Sequence, residues 1–177
     1  MIIPGFLISI ITFPGVIIHE LAHQVFCMLC GLHVYEVKYF QFGNPCGYVI
    51  HETSNQPSKV FLTSMGPFLI NTILGMLILL PASVELISFR EFSNPLNLLL
   101  GWLGFSILMH AFPSTGDAKV MVKWILKNPD VSIIWKVLVA PFVGLLYVCS
   151  IGSVFWLDAL YAAGMGILIP YLLAHIF

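Results

Sequence analysis

His19, Glu20 and His23 stand together in the stretch VIIHELAHQVF, residues 16–26. On a helix, residues four apart share one face, one turn above the other. Two imidazoles so placed can bind one zinc ion. Glu20 follows the first histidine directly, so it comes close to such an ion without being a ligand. Zinc lowers the pKa of a bound water to about 7, and a neighbouring carboxylate can take its proton. His-Glu-x-x-His is therefore a set of groups suited to hydrolysing a peptide bond. Its surroundings add weight, because residues 6–18 carry no charge at all. Ionisable groups placed in lipid are costly and default to function.

A catalytic zinc needs a third protein ligand and an open position. The stretch QVFCMLCG after the motif offers no third histidine. The candidates elsewhere are Asp117, His110, His51, Glu52 and Asp158. Asp117 leads them, with His110 as its rival. The sequence HAFPSTGDA, residues 110–118, gathers His110, Pro113 and Asp117 into one chain break. A plainer role for Asp117 is a first-turn acid at a helix N-terminus, with Ser114 or Thr115 as the cap. A plainer role for His110 is a buried imidazole bonded to a backbone carbonyl.

The elements that must position these groups are those of a membrane protein. Of 177 residues, 59% are hydrophobic and 8% charged, against about 25% charged in ordinary globular chains. The mean hydropathy is +1.00. A net charge of −1 suggests no nucleic-acid partner. The four cysteines form no disulfide framework, and Cys27 and Cys30 are read as packing residues. The N-terminus lacks a basic stretch and a cleavage site, so it reads as the first span rather than as a signal peptide. We expect an all-α polytopic membrane fold in a single domain. Five spans are predicted: about 6–30, 60–80 and 96–112, then two within 132–177 that turn near 150–153. A span takes about 20 apolar residues.

Between the first two spans, residues 34–52 read as a β-hairpin. Tyr35, Val37 and Tyr39 alternate with Glu36 and Lys38, GNPCG supplies turn residues, and YVIHE follows as a second strand. Residues 117–127 read as an amphipathic surface helix, with Lys119, Lys123 and Lys127 recurring every four residues. Lysines favour the cytoplasmic side. In a five-span arrangement the hairpin and this helix then lie inside and the N-terminus outside.

An His-Glu-x-x-His helix in a membrane, a later Gly-Pro and Asn, and a Pro and Asp after a further span resemble the site-2 protease family of intramembrane zinc metalloproteases. The carrying segments are HELAH at 19–23, GPFLIN at 66–71 and HAFPSTGD at 110–117. The resemblance covers about residues 6–127 and leaves the last two spans outside. It implies one zinc ion per chain, bound by His19, His23 and Asp117, with Glu20 as general base and the hairpin close by. The departures are Ala118 after the aspartate where the family has glycine, His110 where it has asparagine, and shifted spacings at Pro113 and Asn71.

The reading is a zinc endopeptidase in the cell membrane. It would cut membrane-anchored or membrane-adjacent polypeptides near the cytoplasmic side. A substrate helix must unwind there, and Tyr48, Val49 and Ile50 can hold the unwound strand by β-augmentation. Asn71 is either a helix-to-helix contact or an oxyanion-facing group. A metal or ion transporter built on intramembrane His and Asp, and a non-hydrolytic relative that binds membrane partners, are the alternatives.

Overall fold

The computed structural model describes residues 5–176. Within them the order is α1 (Gly5–Ile11), α2 (Phe13–Leu29), β1 (Val34–Lys38), β2 (Tyr48–His51), α3 (Pro57–Ser83), α4 (Pro95–Met109), α5 (Thr115–Met121), α6 (Ile133–Gly152) and α7 (Leu157–Ile176). Single π-helical turns, Val84–Ser88 and Val122–Leu126, extend α3 and α5. The chain is mostly helical, with one small antiparallel sheet.

Prolines set most of the boundaries. The first predicted span is not one rod: α1 and α2 meet at Thr12 with a bend of 93°. Pro14 explains this, because it has no N–H for the Ile10 carbonyl four residues back and its ring clashes with that carbonyl in a continuous helix. Pro57 and Pro95 occupy the first turns of α3 and α4, where the missing donor has no partner to lose. Asn94 caps α4 by accepting from the Leu96 N–H at 3.0 Å. The third predicted span closes at Met109, three residues early, ahead of Pro113. Trp156, with a left-handed φ of 64°, turns the corner into α7.

Helices α2, α3 and α4 form the centre, with α7 against α3 and α4 and α6 against α5. One apolar cluster joins α3, α5 and α6 through Val60, Met65, Met121, Ile125 and Val143. A second joins α3, α4 and α7 through Leu79, Leu108 and Ala162. At Gly15, α2 touches α4 directly: a Cβ there would stand 2.0 Å from the Ser106 carbonyl oxygen. Much of the outer surface of the helices is apolar. Leu77 of α3 is 66% exposed and Ile134 of α6 is 76% exposed, while Asn71 of α3 is fully buried.

Two stretches are long and apolar enough to cross a bilayer, Pro57–Ile87 and Ile133–Phe155. The bent α1–α2 pair makes up to a third. Helix α4 and the stretch Leu157–Leu172 are apolar but shorter. In the hairpin, Val37 pairs with Val49 and Lys38 with Tyr48, with an irregularity between Val34 and Glu36. The exposed lysines and the buried Met121 and Ile125 divide residues 115–126 into two faces.

Candidate metal centre

Helix α2 carries His19, Glu20 and His23 on its buried face. Each histidine is fixed by a backbone carbonyl. His19 Nδ1 donates to the His110 carbonyl oxygen at 2.7 Å. His23 Nδ1 donates to the Thr63 carbonyl oxygen at 3.0 Å. Both carbonyls are open for reasons written in the sequence. Thr63 lies four residues before Pro67, so the helix has no N–H to offer its oxygen. His110 lies at the C-terminal end of α4, where carbonyls have no intrahelical partner. With hydrogen on Nδ1, a neutral ring leaves its Nε2 lone pair free. This is the tautomer in which metal-binding histidines are held by a carbonyl on the other nitrogen.

Asp117 comes to the same place from α5. It is the third residue of a capping box: its N–H donates to Ser114 Oγ at 3.1 Å, and its Oδ2 accepts from the Ser114 N–H at 3.0 Å. Ser114 Oγ also donates to Oδ2, at 2.6 Å. The helix-cap role is therefore present, and the same carboxylate faces His23 Nε2 at 3.4 Å. Burial alone would raise the Asp117 carboxyl, but with a proton on His23 Nε2 the hydrogen bond and charge of that ring outweigh it and hold the group below the usual carboxylate range.

One ligand atom from each of His19, His23 and Asp117 lies within 4.8 Å of the others. Ligands on a tetrahedral zinc with bonds of about 2.1 Å stand about 3.4 Å apart, and the His23–Asp117 pair already has that separation. A free Nε2 lone pair facing a carboxylate at 3.4 Å requires a cation between them, either a proton or a metal. A metal also answers for the lone pair of His19. Two imidazole nitrogens and one carboxylate oxygen are a donor set that zinc accepts.

Glu20 is buried beside His19, and its carboxylate takes no protein hydrogen bond among the described residues. The loop between the strands lies over it. A Cβ on Gly47 would come 2.7 Å from Glu20 Cγ, so only glycine permits this approach. The loop is tied to itself, with the Gln41 N–H on the Cys46 carbonyl at 2.7 Å and Gln41 Nε2 on the Pro45 carbonyl at 2.9 Å. Tyr39 anchors it by a hydroxyl bond to Gln24 of α2.

Two cavities flank the group. One, of about 540 Å³, is lined by His19, Glu20, the 44–47 loop and the start of α7. The other, of about 310 Å³, is lined by His23, Asp117 and Val49, Ile50 and His51 of β2. Tyr48 turns its hydroxyl to Glu36 Oε1, 2.5 Å away.

The other candidate ligands do not join the group. Thr12 Oγ1 donates to the Ile8 carbonyl at 2.7 Å, so the His110 ring bonds it through Nε2–H, also at 2.7 Å. Only the backbone of His110 serves the centre. His51 Nδ1 donates to the Glu52 carbonyl, and Glu52 accepts weakly from the His33 N–H. Asp158 lines the cavity that holds His19 and Glu20, not the one at His23 and Asp117. Asn71 points its amide nitrogen at three carbonyls, of Gly15, Ile107 and His110, at 3.2, 3.2 and 3.1 Å. Pro67 serves the centre through backbone alone, by leaving the Thr63 carbonyl without a helical partner. Its signal was its spacing, four residues after a carbonyl that α2 needs. Comparison of the chain with family models, with curated proteins and with solved structures finds no match.

Proposed function

We propose that the protein is a membrane-embedded zinc endopeptidase resembling the site-2 proteases, with His19, His23 and Asp117 as ligands and Glu20 as general base. The observation that carries this reading is the convergence of two carbonyl-fixed imidazoles and one carboxylate, with a second carboxylate, Glu20, beside them. A zinc ion there supplies a Lewis acid and a water of lowered pKa.

The chain's own residues do the rest. The Thr63 and His110 carbonyls keep both rings in the ligating tautomer. Glu20 holds and then releases the proton of the attacking water, close enough to act and free of competing hydrogen bonds. The Gly47 loop covers it and limits access of bulk water. The edge of β2 away from β1 carries no strand among the described residues, and Val49 and Ile50 line the cavity at His23. That edge takes an unwound substrate segment by main-chain hydrogen bonds. The substrate class is a transmembrane or membrane-associated polypeptide. Five spans, with the hairpin and α5 on the cytoplasmic side, complete the arrangement.

The test is cleavage of a membrane-anchored reporter by zinc-loaded protein in proteoliposomes, beside the Glu20→Gln variant. The variant should keep its zinc and lose about 10²- to 10⁴-fold in rate, the usual contribution of a general base. Equal rates would sink the mechanism. A transporter would instead move zinc across the bilayer, and Glu20→Gln would leave the reporter data flat in both proteins.

A further inference from the structure

We propose that the cavity beside His23 and Asp117 is a specificity pocket for one large apolar side chain of the polypeptide substrate, with Val120 and Trp124 as the wall that sets its size; the proposal rests on the protease reading above. The cavity holds about 310 Å³, and about 150 Å³ is enough for a benzene ring. Leu32, Val60 and Thr63 on its wall are buried, while Ile50 and Val120 are exposed. It therefore runs from the surface to two of the three groups of the metal centre. Val49 and Ile50 belong to the strand whose free edge takes the substrate, so an added strand runs past the cavity.

Helix periodicity builds the wall. Asp117, Val120 and Trp124 stand at i, i+3 and i+7 on α5 and the turn that extends it, the spacing of one helix face. All three line the cavity. Ala118, Met121 and Ile125, one position further on in each case, form a second stripe, which is buried. Met121 and Ile125 pack there against α3 and α6. The core thus accounts for one apolar stripe of this helix, whereas the other begins at a residue of the metal centre and lines an open space. Lys123 Nζ stands over the Trp124 ring, 5.2 Å from its centre, a cation–π contact that holds the indole in place.

Most polar side chains on the wall are engaged by the chain itself. Thr63 Oγ1 donates to the Lys59 and Val60 carbonyls at 2.9 and 3.2 Å. His51 Nδ1 donates to the Glu52 carbonyl, and Ser54 Oγ accepts from the Gln56 N–H at 3.1 Å. In the protease reading His23 and Asp117 are committed to the metal. A polar guest side chain would give up water for a wall that is mostly hydrocarbon. An apolar one gains by leaving water for Val49, Val60, Val120 and Trp124.

The experiment uses the zinc-loaded full chain and fluorescent peptides of one Ser- and Thr-rich sequence carrying Phe, Ala or Gln at successive positions. Binding is read by anisotropy on the Glu20→Gln protein, and cleavage on protein with Glu20 intact. At one position Phe should bind about tenfold more tightly than Ala, and Gln no more tightly than Ala. Val120→Phe, at an exposed position, should fill the pocket and bring the Phe-to-Ala ratio near one. Trp124→Ala should enlarge it and move the preference from Phe to the bulkier naphthylalanine, a shift that a merely structural wall would not produce. Zinc content reports folding in each variant, and the ratio within a variant cancels any general loss. No preference at any position, or a Phe preference that survives both substitutions, overturns the pocket. So does a preference lost in Val154→Phe instead, because Val154 lines the cavity at His19 and Glu20. A Phe preference in binding without cleavage of any peptide overturns the protease reading and leaves the pocket standing. Cleavage without a Phe preference does the reverse.

Discussion

Asn71 and His19 both donate to the carbonyl oxygen of His110, at 3.1 and 2.7 Å, and they end differently. Asn71 directs its amide nitrogen wholly to backbone, meeting α2 at Gly15 and the end of α4 at Ile107 and His110. Those bonds tie three helices together and leave no donor for a ligand. His19 gives one ring nitrogen to the same carbonyl and keeps the other. His23 repeats the arrangement at Thr63. Asn71 turns its donors to backbone and leaves only its amide oxygen, which is buried and without a partner among the described residues, whereas each histidine keeps a ring nitrogen in the cluster with Asp117. Charge and burial do not separate the two, because Asn71, His19 and His23 are all buried.

The largest effect should follow from removing the free nitrogens. His19→Ala and His23→Ala should each weaken zinc binding by more than about 100-fold, beyond the range of supporting residues, as read by competition with a chromophoric chelator. Pro67→Ala sharpens the comparison. It places an N–H at position 67 that can close the helix onto the Thr63 carbonyl, taking the acceptor that orients His23. Zinc affinity should fall about 10-fold while helix content and thermal stability hold or rise. A loss of stability with unchanged affinity would mean that Pro67 only packs.

Asn71→Leu should show the opposite pattern. Losing the joint should cost about 1–3 kcal/mol of stability, with zinc affinity changed less than by Pro67→Ala. A larger fall in affinity than in stability would move Asn71 into the metal site. The smallest effect is expected for Ser114→Ala, which removes the cap at Asp117 N–H and the hydroxyl bond to its carboxylate while the Ser114 backbone N–H bond stays. About 1 kcal/mol should be lost, measured by urea titration in detergent, and zinc should still bind.

Much of this was legible in the sequence. The mostly helical class and the hairpin followed from long apolar runs and from the alternation at 34–39 with GNPCG behind it. HELAH is a local motif, so its geometry follows from helix periodicity. Asp117 stood among several candidates because its partner lies about 90 residues away. What was not legible depends on which helices meet. The bend at Thr12 is signalled by Pro14, but the uncharged, mostly apolar composition of residues 6–18 masks it. The function of Pro67 appears only once α3 lies beside α2, since it acts through a carbonyl that carries no sequence mark. The passage of the 44–47 loop over Glu20 and the entry of Asp158 into the same cavity arise from packing of distant segments. Neither leaves a pattern at any fixed spacing.

The central claim is that His19, His23 and Asp117 together hold one zinc ion. X-ray absorption of the zinc-loaded protein tests it most directly. One zinc per chain is expected, with nitrogen and oxygen neighbours at about 2.0–2.2 Å, including the multiple-scattering pattern of two imidazoles, and with loss of one light ligand in Asp117→Ala. Sulfur neighbours at about 2.3 Å would place the metal on Cys27 and Cys30 instead, and an unchanged spectrum in Asp117→Ala would contradict the assignment of the third ligand.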